Sequence, residues 1–190
     1  MPEPMTRAIL FDLVGVLLFP REDTSPDRLV DAVDRRIGQT TDDSRLRAEI
    51  LQQFHLTDGQ FDQVLARVAD KYTAFPSIWK LLPDLRERYL LGIINNGTYL
   101  TFGIFNTRYG LDRNFDLFLC SAQAGICKPD ARIYRLACER LGVRPDQCLF
   151  MDDSAENTFA AGEVGMKTIH WPTRQVGFQR FREWLESEAV

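Results

Sequence analysis

AILFDLVGVLLF, from Ala8 to Phe19, sets the frame in which every other segment is read. Ala8 to Phe11 is a continuous apolar run, the pattern of a strand buried on both faces of a parallel sheet. The run stops at Asp12, whose charge a buried strand interior does not tolerate. Gly15 allows a tight turn before a second apolar run from Val16. A carboxylate at the carboxyl end of such a strand stands where open α/β sheets place their ligands. Asp12 is therefore the candidate centre of the chemistry; a solvated strand end or a helix cap is the plainer alternative for the same residue.

From Pro20 to about Thr73 the apolar spacing turns helical. Leu29, Val30, Val33 and Ile37 recur on one side, with Ser25 as expected N-cap, Pro26 at the first helical position and Gly38 as stop. Thr41 opens a second unit (Leu46, Ile50, Leu51, Phe54) and Thr57 a third (Phe61, Val64, Leu65, Val68, Tyr72). The pattern predicts three amphipathic helices and no strand among them, a small all-helical module inserted after the first strand. The expected division is an α/β core over 1–19 and 76–190 and a helical insertion over 20–75.

Beyond Phe75, strand and helix patterns alternate. Helices are predicted over Trp79–Tyr89 (with Pro83 as kink or break), Leu100–Tyr109, Asp130–Leu141, Asn157–Val164 and Phe178–Leu185. Strands are predicted over Leu90–Ile94, Phe115–Cys120, Cys148–Met151 and Lys167–Trp171. Repeated β-α units predict an α/β, Rossmann-like parallel sheet with helices on both faces and right-handed crossovers. Phe178, Phe181, Trp184 and Leu185 are spaced for packing on the core.

The chain has 190 residues, 45% of them hydrophobic, enough for a sizeable core. Its net charge of −4 argues against a general nucleic-acid or anionic-membrane binder. An anionic substrate would need a local cation or a metal. Cys120, Cys127, Cys138 and Cys148 form no CxxC pair, and the start MPEPMTR is polar. A cytoplasmic protein with reduced thiols is expected. No apolar run approaches the ~20 residues needed to span a bilayer.

Polar residues gather where the apolar strands end: Asp12, Asn95-Asn96, and Asp152-Asp153, with Lys128-Pro129-Asp130 in the loop after the third sheet strand. In a parallel sheet these ends share one edge. Three carboxylates, an ammonium and two amides around one crevice suit Mg²⁺ and a phosphate, with Lys128 neutralising the phosphate or holding Asp12 ionised. Singly, each has a plainer reading: Asp152-Asp153-Ser154 as a helix cap, Asn96-Gly97 as a turn, Lys128-Pro129 as a surface loop. Together, in this order, they point to function.

The set FDLVGVL, IINNG, CKPD and FMDDSAEN resembles the haloacid dehalogenase superfamily, mainly its phosphatases with a helical cap after the first strand. The resemblance covers nearly the whole chain. It implies that Asp12 attacks phosphorus and forms an aspartyl-phosphate that water hydrolyses. It implies Mg²⁺ held by Asp12, the main-chain carbonyl of Val14 and Asp153, with Asp152 next to it. Lys128 would bind the phosphoryl oxygens and screen Asp12, and Asn96 with adjoining N–H groups would hold the transferring group. The substrate would be a small phosphorylated metabolite.

Two positions depart from the family pattern. Val14 stands where the phosphatases carry a second Asp as acid and base, a loss typically worth ~10²–10⁴-fold in rate and least felt with stable leaving groups. Asn95 stands for the usual Ser or Thr, with Thr98 as a possible substitute nearby. The expected activity is a Mg²⁺-dependent phosphatase. The alternatives are a catalytically impaired binding module and a metal-independent 2-haloacid dehalogenase. Arg21 is a candidate for meeting a second anionic group, or else a solvated surface residue; His55 and His170 are expected to be structural or exposed.

Overall fold

β1 (Ala8–Phe11) is buried along its whole length and takes the middle place in a five-stranded parallel sheet. In the computed structural model, which describes residues 5–23 and 25–188, the chain continues through β2 (Leu18–Pro20), α1 (Arg28–Ile37), α2 (Asp43–Phe54), α3 (Asp58–Asp70) and β3 (Tyr72–Ala74). Then come α4 (Pro76–Trp79), α5 (Leu82–Arg86), β4 (Leu90–Asn95), α6 (Phe102–Tyr109), α7 (Leu111–Asn114), β5 (Leu117–Cys120) and α8 (Ser121–Ala124). α9 (Ala131–Leu141), β6 (Cys148–Asp152), α10 (Ala155–Glu163), β7 (Lys167–His170) and α11 (Arg174–Ser187) complete it. Met1 to Pro4, most of the polar start, lie outside the described residues.

The sheet order is β5-β4-β1-β6-β7, so Phe11 pairs with Ile93 on one side and Met151 on the other. Successive side chains of β1 point to opposite faces. Ile9 and Phe11 join one core with Ile93, Met151, Trp171 and Phe181; Ala8 and Leu10 join another with Ile133, Tyr134, Phe150 and Ala161. An apolar run without alternation is therefore what this strand needs. After β5 the chain crosses from one side of β1 to the other through α9 and β6. The crevice between β1 and β6 thus opens at the carboxyl ends of both, the usual ligand position in such sheets.

The helices α1, α2 and α3 carry their own apolar cluster, built on Val33, Ile50, Phe61 and Leu65 with Leu100 and Ile104 of the core packed against it. They sit between β2 and β3, which pair antiparallel, Phe19 opposite Thr73. No strand was expected there, because three residues are too few for a period to register. α1 starts at Arg28, capped by Asp27 and not by Ser25: the Asp27 carboxylate accepts from the N–H of Leu29 (2.9 Å) and Val30 (3.0 Å). Asp42 caps α2 in the same way, accepting from the N–H of Arg45 (3.0 Å). The expected helix over Trp79–Tyr89 is two short ones, with Pro83 in the first turn of α5 where its missing N–H is harmless. α11 begins at Arg174, ahead of its first apolar position, and buries Phe181 with Phe178, Trp184 and Leu185 against the same core. Among the described residues no helix is long and apolar enough to cross a membrane. All four cysteines are free thiols.

Candidate active site

Asp12 directly follows β1, and its N–H still donates to the carbonyl of Met151 at 2.8 Å, which carries the pairing with β6 to the rim of the sheet. Its side chain is buried beside Lys128. The Lys128 ammonium donates to Asp12 Oδ1 (2.7 Å), Asp152 Oδ2 (2.6 Å) and the carbonyl of Ile94 (2.8 Å). All three of its protons are thereby committed within the protein. Lys128 thus stands between Asp12 and Asp152 and ties both to the end of β4. Direct donation to a phosphoryl oxygen would require one of these bonds to open.

Asp152 ends β6 and is fully buried. Its Oδ1 accepts from the N–H of Ser154 (2.8 Å) and from Asn157 Nδ2 (2.9 Å), so both oxygens are engaged. Ser154, not either Asp, provides the N-cap of α10. Asp153 is exposed at the rim, and among the described residues no other side chain donates to its carboxylate. Gly15 makes room for it: a Cβ there would stand 2.6 Å from Asp153 Cγ, and Gly15 has φ +107°, a region L residues avoid. His170 lies closer than expected, its ring nitrogen 3.0 Å from the carbonyl of Asp153, while His55 terminates α2 with φ 52°.

Oxygens of Asp12, Asp152 and Asp153 lie within 4.8 Å of one another. Burial pushes the Asp12 carboxyl above the ordinary carboxylate range; Lys128 opposes the rise and the neighbouring Asp152 and Asp153 add to it. Asp153 is raised too: although the residue reaches the rim, its carboxyl is partly desolvated there, and Asp152 adds to the rise. Burial works against the Lys128 ammonium, but Asp12 and Asp152 outweigh it. Three carboxylates facing one ammonium leave an excess of negative charge, and every donor is a hard oxygen. That set fits a divalent cation of the Mg²⁺ kind, with Asp12 and Asp153 offering the uncommitted oxygens.

The amides divide differently from expectation. Asn96 does not point its amide at a ligand. Its Oδ1 accepts from Lys128 N–H (2.7 Å) and its Nδ2 donates to Lys128 C=O (2.9 Å), which fixes the loop carrying the ammonium. The N–H of Gly97 is spent on Ser121 Oγ (2.9 Å), and that hydroxyl donates to the carbonyl of Thr40 (2.6 Å). Thr98 is buried with its hydroxyl on Asp43 of α2, so it does not substitute for Asn95. Asn95 and Asn96 both line the cleft, and of the two only Asn96 spends its amide on the Lys128 main chain.

That cleft, about 440 Å³, is bounded by Asp12, Val14, Asn95 and Lys128 below and by residues of α1 and α3 above. Val14 presents hydrocarbon where proton transfer would need an acid. Arg21 pairs with Asp23 over a different hollow. Asn157 and Arg35 also line the cleft and escaped the sequence reading. Asn157 stood in plain view inside DDSAEN, whereas Arg35 carried no signal beyond a basic residue near a helix end.

A family model described as haloacid dehalogenase-like hydrolase matches residues 6–165. The chain is 32% identical over 134 residues to (S)-2-haloacid dehalogenase 4A of Burkholderia cepacia, covering 69% of this chain and 57% of that protein. It is 31% identical over 97 residues to glyceraldehyde 3-phosphate phosphatase of Methanothermobacter thermautotrophicus, covering 50% and 43%. The chain thus matches about half the length of these relatives. Among solved structures, a HAD family enzyme of Bacteroides thetaiotaomicron, in complex with magnesium and inorganic phosphate, shares the fold. The TM-score is 0.69 at 20% identity, over 87% of this chain and 93% of that one.

Proposed function

The chain belongs to the haloacid dehalogenase-like hydrolases, and from that premise we propose that it is a Mg²⁺-dependent phosphatase of a small organic phosphate. The observation that carries this reading is the convergence of Asp12, Asp152 and Asp153 on one place with a single ammonium among them. A dehalogenase attacking carbon has no need of the third carboxylate.

Asp12 Oδ1 is held by Lys128, and Oδ2 accepts no hydrogen bond among the described residues. That oxygen attacks phosphorus in line; the bond from phosphorus to the leaving oxygen breaks and the leaving group departs with the electron pair. Water then cleaves the aspartyl-phosphate and returns the carboxylate. Mg²⁺, held by Asp12, Asp153 and the carbonyl of Val14 with Asp152 behind them, would supply positive charge to the phosphoryl oxygens. Lys128 keeps Asp12 oriented and favours its ionised form against burial, and Asn95 donates from the cleft wall. Since Val14 delivers no proton, the favoured leaving groups are those stable as anions, such as phenolates and carboxylates. Residues 20–75 act as a cap over the site, and the free thiols accord with a cytoplasmic location.

The test is hydrolysis of 4-nitrophenyl phosphate. Turnover with Mg²⁺, loss on chelation, and loss in Asp12→Asn with the unfolding midpoint retained are the expected results. A second reading, 2-haloacid dehalogenase, is favoured by Val14, and halide release from a 2-haloacid in the presence of EDTA would establish it instead. Phosphate binding with no turnover of any acyl or aryl phosphate would mark an impaired binding module.

A further inference from the structure

We infer that Arg35 selects substrates carrying a second oxyanion, a carboxylate or phosphate, at the end remote from the transferred phosphoryl group. The inference rests on the phosphatase reading and adds the substrate class to it. Arg35 lies in the last turn of α1 and lines the cleft from above. A basic residue there is often explained by the helix dipole alone. Two arginines occupy that turn, however, and they part company: Arg36 sits over the Phe54 ring at 5.5 Å, whereas Arg35 is exposed and faces the cleft.

The charges around it leave Arg35 unopposed. Asp34, its neighbour on the cleft wall, is already taken: its Oδ2 accepts from Lys71 Nζ (2.6 Å) and from the Tyr72 hydroxyl (2.8 Å). Asp12 and Asp152 belong to Lys128, and Asp153 is uncommitted at the proposed metal position. Among the described residues no carboxylate pairs with Arg35. With Lys128 fully committed, Arg35 is the cleft-lining cation with donors to offer. Val14, Ile37, Val68 and Phe105 give this cleft apolar surface beside its polar groups. Such a cleft suits a compact hydrocarbon body with an anion at each end. A guanidinium binds either oxyanion through paired N–H donors.

Equilibrium binding tests this without relying on turnover. Benzylphosphonate, 4-carboxybenzylphosphonate and p-xylylenediphosphonate are titrated with Mg²⁺ present into the wild-type chain, Arg35→Ala and Arg35→Lys. At least one dianion-ended ligand is expected to bind the wild type about tenfold more tightly than benzylphosphonate. Arg35→Ala should abolish that preference and leave benzylphosphonate binding unchanged; Arg35→Lys should restore part of it. The ligand that shows the larger preference identifies the oxyanion as carboxylate or phosphate. Equal binding of all three to the wild type, absence of binding by all three, or a preference that survives Arg35→Ala would overturn the inference. Hydrolysis of 4-nitrophenyl phosphate, measured alongside, reports on the phosphatase reading separately. Turnover with no ligand preference removes the role of Arg35 alone, and a preference without turnover removes the reaction alone.

Discussion

The side chain of Asn96 grips the main chain of Lys128 at both of its polar atoms, accepting from the N–H at 2.7 Å and donating to the carbonyl at 2.9 Å. The ammonium that pairs with Asp12 and Asp152 is therefore placed from outside its own loop. Asn96→Ala should lower kcat on 4-nitrophenyl phosphate by at least tenfold with a smaller change in KM. Two partly buried bonds lost predict a destabilisation of about 2 kcal/mol, read by urea denaturation. Unchanged kcat with the same loss of stability would reduce Asn96 to a structural tie.

Gly15→Ala forces a methyl to within 2.6 Å of the Asp153 carboxylate and strains a backbone at φ +107°. The carboxylate must swing away. Mg²⁺ binding, followed by calorimetry, should weaken about tenfold or more, and the fold should lose about 1–3 kcal/mol. Undiminished Mg²⁺ affinity would place the ion elsewhere.

Lys128→Met removes the one cation between two buried carboxylates. Stranding those charges predicts a loss of about 3–5 kcal/mol, visible as a lowered urea midpoint. The double change Lys128→Met with Asp152→Asn removes one of the stranded carboxylates and should recover part of that loss. A single variant as stable as the wild type would contradict the buried ion-pair account.

Val14→Asp supplies a proton donor at the cleft wall. Turnover of alkyl phosphates should rise by about 10²-fold, with much less change on aryl phosphates, whose leaving groups need no proton. Equal effects on both classes would show that the missing acid is not what limits the reaction.

The parts of this molecule legible in the sequence are those where one physical requirement dominates. β1, β6 and α9 had to be apolar on both faces or along one stripe, and their limits were read nearly to the residue. The strand ends gathered Asp12, Asp152 and Asp153, and the loop before α9 brought Lys128 to them. What escaped was direction. Position 96 placed an amide at the right rim, but only the path of the 128 loop decides that it binds backbone. The choice of Asp27 over Ser25 as a cap turns on which of two capable residues has its carboxylate or hydroxyl near a free N–H. β2 and β3 owe their pairing to the meeting of chain entry and exit, which no local period records.

Ser121, Thr40 and Asp43 have a further consequence. One buried hydroxyl joins the Gly97 amide to the Thr40 carbonyl, and Asp43 takes both the Thr98 hydroxyl and the Tyr99 N–H. Roof and the loop after β4 are thus stitched along a common seam and would shift as one body. Grafting a foreign roof onto this sheet would unpick that seam and disturb Asn95 as well as the choice of ligand. On the proposed reading, selectivity and chemistry would be inherited together.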